Sequence, residues 1–289
     1  MPGEFAIIGG SGAHEVLADQ ASRFRRLGPT PTPFGLSASL YEVSVEGKRL
    51  LFMPRHGASQ YEVAAPWVNY RANIYALKER GVTRIMAWSG PGALDETLEV
   101  GQYVLPNDLI DQTRGRESSF FTGTGLGFIR QHPVFCPELR HAAEKALAGL
   151  NMGWRPEAIY VCTQGPRLET AAEIRAYRAW GGHLVGMTLA PECFLARELE
   201  MCYLPVCYVT NYAEGVRPRE PRPGELFEGL LDEQERLAVG RAVARFLDLA
   251  GAMLAQTPAD RRCPCARAME RYRRAGRVGD DWRAWVGKL

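Results

Sequence analysis

Short apolar segments alternate with helix-period patterns along most of the chain, and this constrains the fold more than any other feature of the sequence. Residues 5–9, 39–45, 49–53, 84–88, 103–105, 158–163, 183–187 and 204–210 are short, apolar and rich in β-branched or aromatic side chains, which predicts strands. Between them, "WVNYRANIYALKER", "CPELRHAAEKALAGL", "ETAAEIRAYRAW" and "PECFLARELE" repeat apolar residues every three or four positions, as amphipathic helices do. With 289 residues, 46% of them hydrophobic, the chain can bury a sizeable core. The alternation predicts an α/β fold: a single domain over residues 1–257 on a mixed central β-sheet flanked by helices. The proline-broken segment "EGVRPREPRPGE" predicts a mobile loop, and "ELFEGLLDEQERLAVGRAVARFLDLAGAML" predicts one long amphipathic helix after it. Residues 258–289 are arginine-rich with little core pattern, so they are expected to form an appendage that docks on a neighbouring subunit or stays loose.

A formal charge of +2 gives no general electrostatic case for nucleic acid or membrane binding, so an anionic ligand needs a local site. The start "MPGEFAIIGG" lacks the basic and apolar regions of an export signal, and no apolar run reaches the roughly 20 residues of a membrane-spanning helix. The expected compartment is the cytoplasm. Seven scattered cysteines do not form a secreted disulfide framework. Cys263 and Cys265 in "RRCPCAR" stand apart, one residue separating them and arginines flanking them. Because the sequence shows no second close pair, a metal is not expected; redox or structural pairing and an inert tail remain the two readings.

Several strand ends carry groups that can bind an anion. "AIIGGSG" leads a strand into a glycine-rich turn with the hydroxyl of Ser11, which is either an anion cradle or simply a tight turn. "FMPRHG" places Arg55 beside His56: a planar fork for phosphate oxygens next to a donor or switchable charge, or a solvated loop. "MAWSGPG" ends in Ser89 and the Gly90 amide. Ligands of open α/β sheets gather outside strand carboxyl ends, so the three together point to a phosphate site. Glu169 in "TQGPRLETAAE" reads as a first-turn carboxylate complementing a helix dipole, while Met187 and Thr188 in "GMTLAPE" read as core and as a helix cap. Asn211 ends the apolar run of "VCYVTNYAEG", where a turn-forming role is the ordinary explanation.

In chain order "IIGGSG", "RHG", "VNYRANIYALKERG", "GPRLETAAEIR", "GMTLAPE" and "VTNYAEG" resemble the successive motifs of the trimeric purine nucleoside phosphorylase and 5′-methylthioadenosine phosphorylase family, over residues 5–254. The resemblance implies the nucleoside phosphorylase fold, a homotrimer or a dimer of trimers, and phosphorolysis of a nucleoside to free purine and a pentose 1-phosphate. It implies that Ser11, Arg55, His56, Ser89, Gly90 and Thr188 bind phosphate and that Met187 lies against the ribose. Asn211 and Glu169 fall on positions that contact the purine, and with His56 they are the expected catalytic residues. Leu168 and Ala213, beside them, are expected to line the substrate site, and Phe128 to be lent to the adjacent subunit's sugar pocket. Phosphate is a co-substrate; no metal or organic cofactor is implied.

Adenine-specific members resemble "TDYD" where this chain has "TNYA", and carry serine where it has Glu169. An asparagine can donate to O6 and a glutamate can accept from N1–H, so a 6-oxopurine is expected. On the 5′ side no histidine follows His183, and Leu226 with Leu230 offer either an apolar pocket for a methylthio group or plain helix core. Inosine, guanosine and S-methyl-5′-thioinosine are the expected substrates. The alternatives are an adenine-specific methylthioadenosine phosphorylase and a non-catalytic nucleoside-binding protein. A dinucleotide-binding oxidoreductase lacks the third glycine of its fingerprint.

Overall fold

The computed structural model describes residues 5–45, 47–59, 61–220, 223–226 and 230–286. Its centre is strand β1 (Phe5–Gly9), five consecutive buried residues. An unbroken apolar run is what a parallel strand covered on both faces requires. β1 pairs in parallel with β6 (Lys48–Pro54) and with β7 (Arg84–Ser89), and β7 pairs in parallel with β14 (Cys202–Tyr208). The four strands therefore end on one edge, with Gly9 opposite both Pro54 and Trp88, and Cys207 opposite Ser89. β2 (Phe24–Gly28) and β5 (Leu40–Val45) extend this sheet antiparallel on one side; β9 (Tyr103–Val104) and β11 (Trp154–Arg155) complete its eight strands on the other.

A second, five-stranded sheet runs β10 (Asp108–Gln112), β12 (Ile159–Thr163), β13 (Leu184–Gly186), β8 (Gly92–Ala93) and β15 (Asn211–Tyr212). A small ribbon, β3 (Pro31–Thr32) with β4 (Gly35–Leu36), stands apart from both. The α/β expectation with a mixed sheet holds, divided between two sheets that the chain links by crossing from β7 to β8 and from β14 to β15. Asn211 accordingly does not end a buried strand: β14 stops at Tyr208, and Asn211 opens β15 opposite Gly92.

The helices follow the amphipathic patterns: α2 (Tyr70–Glu79), α3 (Pro137–Gly149), α4 (Ala171–Ala179) and α5 (Leu189–Glu198). A short α1 (Ala13–Asp19) follows the glycine turn. The long helix expected over residues 225–254 is instead two, α6 (Glu233–Ala244) and α7 (Phe246–Gln256), meeting at Arg245. Its start is set by Asp232, whose side chain accepts from the Glu235 amide in a capping box worth about 1 kcal/mol. At the junction Phe246 turns into the core, 5.7 Å from the Phe52 ring and 4.9 Å from that of Trp88.

Residues 258–286 are not loose but pack on their own chain. Cys263, Cys265, Met269, Tyr272, Trp285 and Val286 are buried in the same hydrophobic cluster as β1, and α8 (Glu270–Arg274) forms within this segment. Cys263 and Cys265 are packed beside Cys136 and Cys202, so the second pair that the sequence lacks is supplied by the fold. No described helix is long and apolar enough to cross a membrane.

Candidate active site

Strand register brings Gly10, Arg55 and Ser89 to one edge. The Gly10 amide donates to the Trp88 carbonyl at 2.9 Å, and the Arg55 amide to that of Gly9 at 3.0 Å. A Cβ on Gly10 would lie 2.8 Å from the Trp88 oxygen, so only glycine allows this approach. Ser11 is fixed by its carbonyl, which accepts from the Tyr208 hydroxyl at 2.8 Å. A Cβ on Gly90 would meet Thr210 Cγ2 at 2.6 Å and the Tyr208 ring at 3.1 Å. The glycines of both turns thus serve close backbone approach.

Arg55 lies almost wholly buried. Its Nη1 donates to Thr188 Oγ1 at 2.7 Å and its Nη2 to the Ile8 carbonyl at 2.9 Å, while Nε sits 3.3 Å from Glu192 Oε2. Burial disfavours the guanidinium charge, but Glu192 together with Tyr203, Tyr70 and Tyr160 outweighs it, so the net shift is upward and Arg55 stays protonated. Glu192 is kept in place by the Tyr203 hydroxyl at 2.7 Å. This is a fixed, desolvated cation with the Thr188 hydroxyl in its fork and Ser89 buried nearby, 3.5 Å from the Tyr160 hydroxyl. Charge-assisted contacts to an oxyanion are strong in such surroundings.

His56 behaves otherwise than its position in the sequence suggests. Burial and the Arg55 charge push its pKa down to about 3, so it is neutral throughout the physiological range and is no switch there. Nδ1 faces the Val63 carbonyl at 2.8 Å, which can only accept; this assigns the proton to Nδ1 and leaves Nε2 as an acceptor. The ring stacks on Tyr61 with centroids 4.3 Å apart.

Glu169 precedes the helix rather than sitting in its first turn. Thr170 caps α4, Glu173 is the first-turn carboxylate, and Glu169 accepts from the Thr163 hydroxyl at 2.5 Å at the end of β12. Asn211 is similarly fixed: Nδ2 donates to the Tyr212 carbonyl at 2.9 Å and Oδ1 accepts from the Thr210 hydroxyl at 2.7 Å. A carbonyl can only accept, so this pair sets which way the amide faces and leaves one Nδ2 hydrogen uncommitted. Ala213 is buried behind it, donating its amide to the Ala93 carbonyl. Met187 is half-buried against Gly165, where a Cβ would lie 2.5 Å from its sulfur.

Three expected residues are exposed in the single chain. Phe128 is 80% exposed, Leu226 58% and Leu168 43%. Residues 227–229, between Leu226 and Leu230, lie outside the described residues.

The main residue missed by sequence reasoning is Arg116. Its guanidinium donates to the carbonyls of Met187 (2.7 Å), Ala190 (2.8 Å), Thr163 (3.1 Å) and Gln164 (2.7 Å), tying the ends of β12 and β13 to the start of α5. In "RGRESS" it reads as one surface arginine among several. Glu192 was hidden in the same way inside a helical pattern; a proline-started helix with an acid in its first turn is too common a signal to single it out.

Fold and side chains together define an α/β protein with a buried, ion-paired arginine at the carboxyl ends of parallel strands and a hydrogen-bonded carboxylate and amide at Glu169 and Asn211. Residues 4–249 match the family model of the Phosphorylase superfamily, and the chain belongs to that family. It is 37% identical over 263 residues to the probable S-methyl-5′-thioinosine phosphorylase of Methanothermobacter thermautotrophicus, covering 91% of this chain and 88% of the relative. It is 37% identical over 277 residues to the 6-oxopurine nucleoside phosphorylase of Pyrococcus furiosus, covering 93% and 98%. Among solved structures, a methylthioadenosine phosphorylase from an antarctic soil metagenomic library superposes with a TM-score of 0.79 at 29% identity, over 92% of this chain and 91% of the other.

Proposed function

We propose that this chain phosphorolyses 6-oxopurine nucleosides, inosine, guanosine or S-methyl-5′-thioinosine, to the free base and a (methylthio)ribose 1-phosphate. The observation that carries the choice of base is the orientation of Asn211, whose amide nitrogen keeps one hydrogen free, together with a glutamate at position 169. A donor for O6 and an acceptor for N1–H match hypoxanthine and guanine, whereas adenine, with an amino group at C6 and no hydrogen on N1, would leave both unpaired. Each unpaired buried group costs about 1–3 kcal/mol, so the two together discriminate by orders of magnitude. The names of the two relatives above agree with this choice.

Phosphate is held by Arg55, the hydroxyls of Ser11, Ser89 and Thr188, and the Gly90 amide, with His56 Nε2 accepting from a protonated phosphate oxygen. A phosphate oxygen bonds to C1′ as the bond from C1′ to N9 breaks. The bonding pair moves into the purine, where Asn211 stabilises it, and the developing cationic sugar faces the phosphate anion. No organic cofactor or metal enters this chemistry.

The exposure of Phe128 supports a homotrimer in which this side chain completes the sugar pocket of the adjacent subunit. Leu226 is proposed to line the 5′ end of the pocket, and Leu168 its base end. Salvage of free nucleosides is a cytoplasmic task, and that is the compartment we propose.

The test is release of free base, with and without phosphate, from inosine, guanosine, S-methyl-5′-thioinosine, methylthioadenosine and adenosine. Phosphate-dependent cleavage with preference for the 6-oxopurines is expected. Asn211→Asp should lower kcat/KM for inosine by about 10-fold or more, about 1.4 kcal/mol in transition-state stabilisation. A preference for adenine nucleosides, or an unchanged ratio of hypoxanthine to adenine substrates in the variant, overturns the base assignment.

A further inference from the structure

Four cysteines from distant parts of the chain converge on one buried point. Cys136 precedes the N-terminus of α3 and Cys202 opens β14, both in the body of the domain; Cys263 and Cys265 flank Pro264 at the short helical turn Pro264–Arg267. All four are buried free thiols, and their sulfur atoms all lie within 4.8 Å of one another. The Cys202 and Cys263 sulfurs are 3.3 Å apart.

A disulfide needs one partner per sulfur at about 2.05 Å, and two disulfides impose no common centre on the four atoms. A tetrahedral ion does. Zinc–thiolate bonds of about 2.3 Å put the four sulfurs about 3.8 Å apart, which the present spacing reaches by adjustments of about an ångström. The soft all-sulfur donor set suits zinc, and a closed four-sulfur shell is that of a structural rather than a catalytic ion.

The surroundings suit the charge that such a centre carries. Binding one Zn²⁺ by four thiols releases four protons and leaves a net charge of −2. Cys136 sits at the positive end of the 13-residue α3. Lys78 interacts electrostatically with Cys202 in a neighbourhood that also holds Arg261, Arg273 and the Glu200 carboxylate, three cations to one anion.

We infer that Cys136, Cys202, Cys263 and Cys265 form a structural zinc site that fastens the C-terminal segment to α3 and β14. The site is separate from the phosphate pocket and does not depend on the proposed substrate.

The test uses the full chain, expressed in zinc-supplemented medium and purified anaerobically with reductant. Elemental analysis should give about one zinc per chain. Exchange for cobalt should give the intense charge-transfer and d–d absorption of a tetrahedral tetrathiolate. Both signals should be lost in Cys263→Ser/Cys265→Ser and kept in Cys193→Ala, which removes a buried thiol outside the cluster. The cobalt spectrum of the wild-type chain stands as evidence even if the double variant fails to fold. Four freely titrating thiols without bound metal, iron in place of zinc, or disulfides among these residues in non-reducing mass spectra would overturn the assignment.

Discussion

At the scale of single residues, burial decides what each titratable group can do. His56 looks in the sequence like a pH-sensitive phosphate ligand, yet the ring is enclosed beside a permanent cation and its pKa falls to about 3. The sign of the consequence follows from linkage. In the unfolded chain the ring takes up a proton near pH 6.5, while in the folded protein it stays neutral until about pH 3. Its contribution is therefore fully present above pH 6.5 and is lost as the pH falls from there toward 3. Between pH 7 and pH 5 this removes about 2 kcal/mol. His56→Gln should abolish that increment, so denaturant unfolding at the two pH values should show a difference about 2 kcal/mol smaller in the variant. Equal losses in the two proteins would mean that the ring is accessible enough to protonate in the fold. Residue type and strand-end position single out Arg55 and Ser89 in the sequence, whereas Thr188 is singled out only by the family resemblance. The neutrality of His56 is not legible there, because it arises from Arg55 and from the fold that encloses the ring.

At the scale of elements, periodicity located the central strands and the four main helices to within a few residues. It failed where the chain is short or punctuated. β8 and β15 are two residues each and carry no period, so although β12 and β13 are legible as strands, the edge of the second sheet that holds Asn211 is not, and the sequence places Asn211 at the end of the preceding strand. The break at Arg245 lies inside an amphipathic pattern that runs on through it, and only the packing of Phe246 reveals the turn. Arg116 is the clearest case of a role created by the fold, since its partners are carbonyls from strand ends far apart in sequence. Its guanidinium is committed to backbone carbonyls and acts through the loops that carry Met187, Thr188 and Glu169. Lysine cannot replace a planar fork that serves several acceptors at once. Arg116→Lys and Arg116→Ala should both lower kcat/KM for inosine by at least about 10-fold, since small displacements of aligned groups cost that much or more. Fluorescence-detected phosphate binding should weaken alongside. Turnover within about twofold of wild type would show that the strand ends hold their positions without it.

At the scale of the whole molecule, the C-terminal segment joins parts of the chain that are remote from one another in sequence. Glu200, whose backbone takes a left-handed φ of 55°, receives Arg273 Nη1 and the Met269 amide on one oxygen, each at 2.9 Å, and Arg273 Nη2 on the other. Farther along, the Tyr272 hydroxyl accepts from the Phe128 amide at 2.8 Å, and Arg277 donates to the Gly125 carbonyl at 3.1 Å. The segment thus braces the loop that presents Phe128, a coupling that its arginine-rich composition concealed because the anchoring carboxylate lies some 70 residues upstream. Glu200→Ala leaves the half-buried Arg273 with only the longer pair to Glu270, 3.8 Å away, at a cost of about 2 kcal/mol once solvent screening is allowed for. The expected result is that trypsin cuts among Arg271, Arg273 and Arg274 under conditions that leave the wild-type chain intact, while residues 263–265 remain held by their own contacts. Amide exchange at residues 125–128 should accelerate in the same variant, because a loosened α8 no longer holds Tyr272 and Arg277 against that loop. Tryptic cleavage without faster exchange would mean that the loop holds itself, and the brace would then serve stability alone; resistance to both would place the anchor elsewhere, at the Arg283 pair with Glu79 or the Trp282 ring packed 4.9 Å from Tyr75.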